Sequence, residues 1–294
     1  GGAGFMGAHL VKELLSMGHT VVALDDLSGG FRDQVDPRAT FVQGSINDYA
    51  LLDALFEAHK FDNVYHLAAY AAEGLSHFIR GFNYQNNLIG SINLINASVR
   101  YKVKCFVFTS SIAVYGALHP PMREDMQPVP EDPYGVAKLA VELDLYAARH
   151  MFGLNYVVFR PHNVYGEYQN IGDRYRNVVG IFMNQLMQGQ SLSVFGDGLQ
   201  QRAFSYVGDI APVMARCVDV PEAYGQVFNI GADTPYTVVE LAGAVMEAMG
   251  VKGELKHVEA RNEVVHAWSD HSKLERIFGK QPNTPLVEGL TRMA

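Results

Sequence analysis

The chain has 294 residues, of which 48% are hydrophobic and 18% charged, and its formal net charge is −8. This composition fits a globular protein with an ample core, while the acidic balance and the absence of Lys/Arg runs argue against nucleic acid and anionic membranes as partners. No apolar run approaches the ~18 residues of a membrane span. The two cysteines, Cys105 and Cys217, lie in apolar stretches, which is typical of buried thiols in a reducing, cytoplasmic compartment and not of a disulfide framework or a metal site.

Short β-rich runs alternate with longer helical segments up to about Tyr165. The predicted strands are "TVVALDD", "ATFVQG", "FDNVYHLAA", "VKCFVFTSS" and "NYVVFRP". The predicted helices are "HLVKELLSMGH", "DYALLDALFEAHK", "NNLIGSINLINASVRYK" and "YGVAKLAVELDLYAARHMFG". This alternation predicts the α/β class, with a doubly wound parallel sheet of the Rossmann type covered by helices on both faces.

Beyond Tyr165 the alternation is less regular. Two helical segments, "RYRNVVGIFMNQLMQGQ" and "TVVELAGAVMEAMG", are interspersed with the short strands "LSVFG", "AFSYV", "QVFNIG" and "ELKHVEA". We predict a nucleotide-binding domain over residues 1–164, to which 203–232 return. Residues 165–202 and 233–294 are predicted to form a smaller, mixed α/β substrate lobe.

The sequence begins at the glycines of "GGAGFMG" and stops within a predicted helix at "EGLTRMA". We expect both ends to be trimmed, and we expect a longer chain to supply a strand before Gly1. In a fold of this type that strand is central, so without it the predicted sheet has a gap at its most buried position.

The opening stretch places Gly1, Gly4 and Gly7 directly before a predicted helix. Glycines there let the backbone approach a pyrophosphate at the helix N-terminus, where free N–H groups favour anions. Asp25 ends the next apolar run about 18 residues after Gly7, close to the spacing at which a carboxylate reaches the adenosine ribose. A purely structural turn is the alternative. The combination predicts dinucleotide binding by this loop, including Phe5 and Met6, and NAD over NADP because Asp25 repels a 2′-phosphate.

The segment "EDPYGVAKLAVE" begins like a helix, with Asp132 as N-cap and Pro133 in the first turn. Tyr134 and Lys138 are four residues apart, so both side chains lie on one helical face. The spacing alone leaves two interpretations open. Either the pair is ordinary surface, or the ammonium lowers the phenol pKa so that Tyr134 exchanges a proton near neutral pH.

Further motifs occur in a characteristic order: "HLAA", "NLIG" and "SSIAVYG" follow the glycine loop and precede Tyr-x-x-x-Lys. Over nearly the whole chain, this set resembles the extended short-chain dehydrogenase/reductases, and among them the nucleotide-sugar 4-epimerases. The resemblance implies that Tyr134 is the general base and acid, that Lys138 binds the nicotinamide ribose and depresses the Tyr134 pKa, and that Ser111 hydrogen-bonds the sugar 4-oxygen. The implied reaction oxidises C4 of a UDP-hexose with NAD, turns the 4-keto sugar over, and reduces its other face.

The resemblance also implies further contacts to NAD. They are Ser45, Ile46, Leu67, Ala68, Ala69 and Asn87. Ser45 stands where the family commonly has aspartate, so Ile46 or Asn47 is expected to supply part of the adenine contact. Asn87 and Gly90 match the family's Asn-x-x-Gly, which supports the active-site water and backbone. His66 is expected to be a packed strand histidine.

On the substrate side, the resemblance implies that Asn163 and Arg202 contact the diphosphate and that Phe195 lies near the nucleobase. The alternative for Arg202 is a surface salt bridge, and His162 is expected to be a loop histidine.

Within "VVHAWSDHSK", Ala267 precedes the aromatic Trp268 at a position that limits pocket size in this family. A methyl group there leaves room for an acetamido group, unless a neighbour fills the space or the shorter "ARNEVV" lead-in shifts the register. We therefore predict turnover of UDP-glucose and UDP-galactose, with the N-acetylated pair tolerated.

Related activities fit less well. Many UDP-glucuronate 4-epimerases have the stretch "AGVR" after "HLAA". Here Gly74 stands at the position of its arginine and Glu73 precedes it, and an acid near the sugar disfavours a carboxylate substrate. Against a 4,6-dehydratase or a decarboxylase, Ile112 and Ala113 stand where an acid pair is needed. A simple carbonyl reductase, which has no need of a nucleotide clamp, and a non-catalytic NAD-sensing protein are the remaining alternatives.

By the same resemblance, two helices ("NNLIGSINLINASVRYK" and "YGVAKLAVELDLYAARH") are expected to form a four-helix interface in a homodimer.

Overall fold

The computed structural model describes residues 1–173, 177–260 and 264–294. The helices are α1 (Phe5–Ser16), α2 (Tyr49–His59), α3 (Glu73–Ser76), α4 (Arg80–Tyr84), α5 (Gly90–Arg100), α6 (Pro133–Phe152), α7 (Val178–Met187), α8 (Val207–Arg216), α9 (Val238–Met249), α10 (Ser272–Phe278) and α11 (Leu286–Met293). The strands are β1 (Val22–Asp25), β2 (Thr40–Gln43), β3 (Asn63–His66), β4 (Cys105–Thr109), β5 (Asn155–Pro161), β6 (Val164–Tyr165), β7 (Leu192–Phe195), β8 (Gln201–Ala203), β9 (Ser205–Tyr206), β10 (Gln226–Ile230), β11 (Pro235–Thr237), β12 (Leu255–Val258) and β13 (His266–Ala267).

Four parallel strands form the central sheet in the order β10-β5-β4-β3, and β1 and β2 form a separate parallel pair. β4 is buried along its whole length, as expected of a strand covered on both faces. Its side chains alternate between two cores: Val107 packs on the side of α1, α7, α8 and α9, whereas Phe106 and Phe108 pack on the side of α2, α5 and α6. Helices thus cover both faces, and the predicted α/β fold is confirmed.

The elements after Tyr165 are smaller and mixed, as predicted. They include the sheet β11-β8-β13, in which β8 and β11 are antiparallel, and the pair β12-β7. The predicted strand "AFSYV" is divided, because β8 ends at Ala203 and β9 begins at Ser205 to pair with β6. The predicted helix from Arg174 lies partly outside the described residues, and α7 begins at Val178. The chain then returns to the central sheet through β10.

Local signals account for the ends of α6, which carries Tyr134 and Lys138. Asp132 accepts hydrogen bonds from the backbone N–H groups of Tyr134 and Gly135, both at 2.9 Å, and so caps the helix as predicted. Gly153 ends it with φ +74°, a left-handed conformation that glycine adopts without strain. By contrast, the helix predicted from "NNLIG" begins with a π-helical turn, Gln85–Ile89, before α5.

Both cysteines are buried and unpaired, as expected. Among the helices described here, none has the length and apolar content needed to cross a bilayer.

Candidate active site

The site lies at the carboxyl edge of the central sheet, where open α/β folds bind ligands. The chain leaves β3 at Leu67, β4 at Ser110 and β5 at His162. Because the strands are parallel, these exits are side by side. The glycine loop and the start of α6 meet the same edge: Gly1 adjoins the backbone of Ala68, and Lys138 contacts Thr109.

The glycine loop is tightly packed. A Cβ on Gly1 would lie 2.5 Å from the backbone nitrogen of Ala68, and one on Gly7 would overlap the carbonyl oxygen of Gly1. Helix α1 begins directly after Gly4, with no side-chain cap and no acidic residue in its first turn. Its first N–H groups therefore suit an anion such as a pyrophosphate. Phe5 and Met6 in this turn pack against the core.

Asp25 lies beside this loop at the end of β1, with 7% of its surface exposed. One carboxylate oxygen accepts from the backbone N–H of Ala3 at 3.0 Å and the other from that of Leu27 at 2.8 Å. These bonds orient the carboxylate and leave each oxygen a second lone pair for a ribose hydroxyl. Its negative charge disfavours a 2′-phosphate, so the loop and Asp25 fit NAD.

The remaining predicted cofactor residues follow β2 and β3 or lie in the π-helical turn before α5. Ser45 is half-buried, and its Oγ accepts from the backbone N–H of Asn47 at 3.1 Å. Ile46 is buried against Gly90, where a Cβ would lie 2.5 Å from the Ile46 side chain. The glycine of the Asn-x-x-Gly motif therefore permits this close packing. Leu67, Ala68 and Ala69 are half-buried after β3.

Asn87 is fully buried within the π-helical turn. Its amide accepts from the backbone N–H of Tyr70 at 2.8 Å and donates to the carbonyl of Tyr70 at 3.1 Å and to Asn83 Oδ1 at 2.7 Å. The structure thus places Asn87 as a clamp on the backbone that follows Ala69. His66 is also buried, 2.7 Å from the hydroxyl of Ser91, and is a packed strand histidine as expected.

Tyr134 and Lys138 are both buried, with 6% and 2% of their surfaces exposed. The Lys138 ammonium donates to the carbonyl of Thr109 at 2.7 Å and lies 5.7 Å from the centroid of the Tyr134 ring. Burial lowers the pKa of Lys138 to about 7, against the opposing attraction of Glu142. Ser111 is half-buried and starts the turn after β4, where its Oγ accepts from the N–H of Ala113 at 3.1 Å.

Behind this pair lies a buried ionic group that the sequence analysis missed. Glu142 accepts from Arg160 Nε at 3.0 Å and Nη2 at 2.5 Å, and from the hydroxyl of Ser110 at 2.5 Å. The Arg160 guanidinium lies 4.7 Å from the ring centroid of Tyr115. The available signal was the four-residue spacing of Lys138 and Glu142, which also occurs on exposed helices.

The predicted substrate residues lie on or beside β7, β8 and β13. Asn163 has φ +41° and donates to the carbonyl of Ala203 at 3.0 Å. Arg202 Nη1 donates to the carbonyl of Val265 at 2.8 Å, so part of this guanidinium holds the segment before β13. Phe195 is the half-buried last residue of β7.

Ala267 is the register partner of Arg202 and is 8% exposed. It belongs to a small apolar cluster with Val114, Tyr115 and Met122, which follow Ser111 in the chain. Of the "ARNEVV" lead-in, residues 261–263 lie outside the described part of the chain.

His162 lies in the loop between β5 and β6, so the expectation of a loop histidine is confirmed, but its burial was not expected. His162 is 1% exposed, and its two ring nitrogens lie 3.1 Å from the carbonyl of Ala203 and 3.1 Å from Nε2 of His271. Burial, reinforced by repulsion from His271, lowers the pKa of His162 to about 3. The residue follows β5 directly, and β8 and the N-terminus of α10 cover it.

Comparison with known proteins agrees with this geometry. The profile of the NAD dependent epimerase/dehydratase family matches residues 1–231. UDP-glucose 4-epimerase from Thermotoga maritima, solved with UDP-glucose, is 33% identical with TM-score 0.95, over 100% of this chain and 95% of that one. The Thermus thermophilus UDP-glucose 4-epimerase in complex with NAD is 30% identical with TM-score 0.93, over 100% and 96%. UDP-N-acetylglucosamine 4-epimerase from Methanobrevibacter ruminantium, in complex with UDP-N-acetylmuramic acid, is 29% identical with TM-score 0.92, over 99% and 94%.

Proposed function

The chain belongs to the NAD-dependent epimerase/dehydratase family, and on that basis we propose that it is a UDP-hexose 4-epimerase. It interconverts UDP-glucose and UDP-galactose through a 4-keto sugar. The buried pairing of Tyr134 with Lys138 at the carboxyl edge of the sheet is the observation that supports this most directly.

In the proposed reaction, Tyr134 accepts the proton of the sugar 4-hydroxyl and later returns it to the 4-oxygen. Lys138 stabilises the phenolate by its positive charge, and Ser111 hydrogen-bonds the same oxygen. Bound NAD supplies reversible oxidation and reduction at C4. Gly1, Gly4 and Gly7 would hold its pyrophosphate at the N-terminus of α1, and Asp25 would bind the adenosine ribose.

The substrate is held by the C-terminal lobe, which we assign to residues 165–202 and 233–294, whereas 1–164 and 203–232 bind the cofactor. Asn163 and Arg202 contact the diphosphate, and Phe195 lies beside the base. Ala267, small and packed near the turn after Ser111, leaves space at C2 of the sugar. This supports tolerance of N-acetylated hexoses, in line with the likeness to an epimerase of such sugars.

Two features disfavour the related activities. Glu73 begins α3, and the Ser76 hydroxyl of this helix lies 3.4 Å from the Asp132 cap of α6. A negative charge at this position of the sequence, where glucuronate epimerases have an arginine next to it, disfavours a carboxylate substrate. Ile112 and Ala113, after Ser111, carry no proton to transfer, which a dehydratase requires.

The test is conversion of UDP-galactose to UDP-glucose by the purified protein without added NAD, while the absorbance of reduced nicotinamide is followed. We expect isomer formation with at most transient absorbance. Steady absorbance growth that depends on added NAD indicates a dehydrogenase, and no response to any UDP-sugar indicates a sensor. Turnover of UDP-glucuronate alone contradicts the proposed substrate.

We further propose a homodimer formed through the outer face of α6 and the π-helical turn before α5. Val136, Leu143 and Tyr146 are exposed by 40%, 62% and 66% along one face of α6, and Ile89 is exposed by 41%. Analytical ultracentrifugation should show a dimer that Leu143→Glu converts to a monomer. Met187→Glu, at an exposed apolar residue of α7, is the control and should leave the dimer intact.

A further inference from the structure

We propose that Glu142 is a positioning residue of this site, whose carboxylate favours the charged form of the buried Lys138 beside Tyr134. The inference rests on the proposed function for the role of Tyr134. The placement of Glu142 is independent of it.

Glu142 lies one helical turn after Lys138 on the face of α6 that packs against the sheet. Its side chain is 5% exposed, and its carboxylate is fixed from β5 by Arg160 and from the end of β4 by Ser110. Two neighbouring strands therefore hold this charge in one position, facing the interior with Lys138. An acid at this spacing on an exposed helix would instead be solvated and mobile.

The charges around Lys138 explain why the position matters. Burial removes water from the ammonium and favours its neutral form, and attraction to Glu142 opposes this. His66 on β3 faces the same space, and its pKa lies well below the ordinary range because of burial and repulsion from Lys138, so it is neutral. Phe108 and the carbonyl of Thr109 contribute a ring face and one hydrogen bond. Arg160 on β5 adds positive charge, which the Glu142 carboxylate balances.

Removing the carboxylate should therefore lower the pKa of Lys138 further, so that a smaller fraction of it is charged at any given pH. Tyr134 then has a cationic neighbour in fewer of the molecules, and its phenol ionises at higher pH. Since the base form of Tyr134 starts the proposed reaction, the rising limb of the kcat–pH profile should move towards alkaline pH by about one unit or more. An ion pair that serves stability alone gives no such shift.

The experiment compares Glu142→Gln with Arg160→Met over pH 6–10. Both substitutions break the same buried ion pair, but Glu142→Gln alone removes the negative charge from Lys138. We expect the alkaline shift in Glu142→Gln and no alkaline shift in Arg160→Met. Equal shifts in both variants, or an unshifted profile in a folded Glu142→Gln enzyme, overturn the proposal. The double variant Glu142→Gln/Arg160→Met, which leaves neither member of the ion pair, should still show an alkaline shift and replaces Glu142→Gln if the single variant does not fold.

A second measurement does not depend on turnover. The phenolate absorbance of each protein, minus that of its Tyr134→Phe derivative, reports ionisation of Tyr134 directly. We expect its midpoint to rise in Glu142→Gln and to stay or fall in Arg160→Met. If the wild-type protein has no epimerase activity, the proposed function is wrong, and the absorbance titration still decides whether Glu142 controls the charge beside Tyr134.

Discussion

At the scale of single residues, the site combines a buried phenol with a buried ammonium. Burial disfavours the charged form of each group when the other is absent. Lys138 is 2% exposed, and its charge is unfavourable without compensation. Placing a group that develops negative charge next to it gives the ammonium a partner when Tyr134 is ionised. When the phenolate forms, its attraction to the ammonium therefore offsets the unfavourable free energy of burying the Lys138 charge.

Replacing Tyr134 with Phe removes the proton-transferring hydroxyl and little volume. We expect kcat to fall by roughly 10²–10⁴-fold, the usual contribution of a general acid/base, with NAD still bound after purification. Steady-state rates, together with dinucleotide released on denaturation, check both points. Tyr49→Phe, at an exposed tyrosine of α2, should retain full activity. Near-normal turnover of Tyr134→Phe contradicts the mechanism.

Ala267→Tyr tests the pocket. The added ring should lower kcat/KM for N-acetylated UDP-hexoses by tenfold or more, on the order of the cost of a steric clash of about 1.4 kcal/mol, while plain hexoses are less affected. The measurement compares both substrate pairs in wild type and variant. If both pairs lose equally, Ala267 does not control the space at C2.

At the scale of elements, local chemistry made α6 predictable from sequence. Asp132, Pro133 and Gly153 mark its ends, and the Tyr134–Lys138 spacing identified its inner face. The Glu142–Arg160 pair was not predictable, because Arg160 lies on a strand that meets α6 only in the folded sheet. The burial of His162 was not predictable for the same reason, since β8 and α10, which cover it, are distant in sequence. The sequence motifs do not show which side chains are buried by segments that are distant along the chain.

The cap of α6 provides a prediction at this scale. Asp132→Ala removes the acceptor of two backbone N–H groups in the turn that carries Tyr134. We expect a loss of about 1 kcal/mol in the free energy of unfolding, measured by urea denaturation. Asp132→Asn, which keeps an acceptor oxygen, should lose less. Equal losses in both variants indicate that the carboxylate charge, and not the cap, stabilises the helix.

At the scale of the whole molecule, two buried histidines couple stability to pH. The pKa of His162 is lowered to about 3 and that of His66 lies well below its ordinary range, so both are neutral in the folded protein. In the unfolded chain they take up protons near pH 6.5. The unfolded state therefore binds more protons below that pH, and acid favours it.

We expect the free energy of unfolding to fall as the pH drops below about 6.5, by up to about 1.4 kcal/mol per unit for each of these histidines. Urea midpoints measured between pH 7.5 and 5 should show the fall. His162→Gln should flatten the slope, whereas His19→Gln, at an exposed histidine, should leave it unchanged. An unaltered slope in His162→Gln contradicts this assignment.

The return of the chain to the central sheet through β10 has a consequence for biosynthesis. On the ribosome β5 is completed long before its partner β10 emerges, because α7, the small strands and α8 are made in between. During that interval the outer edge of β5 presents unpaired backbone groups and the apolar ring of Phe159, which later packs against Phe228. A nascent chain stalled before β10 thus exposes an unpaired strand edge that can pair with other chains. We expect chaperones to retain such truncated chains, and we expect the chains to aggregate when chaperones are scarce.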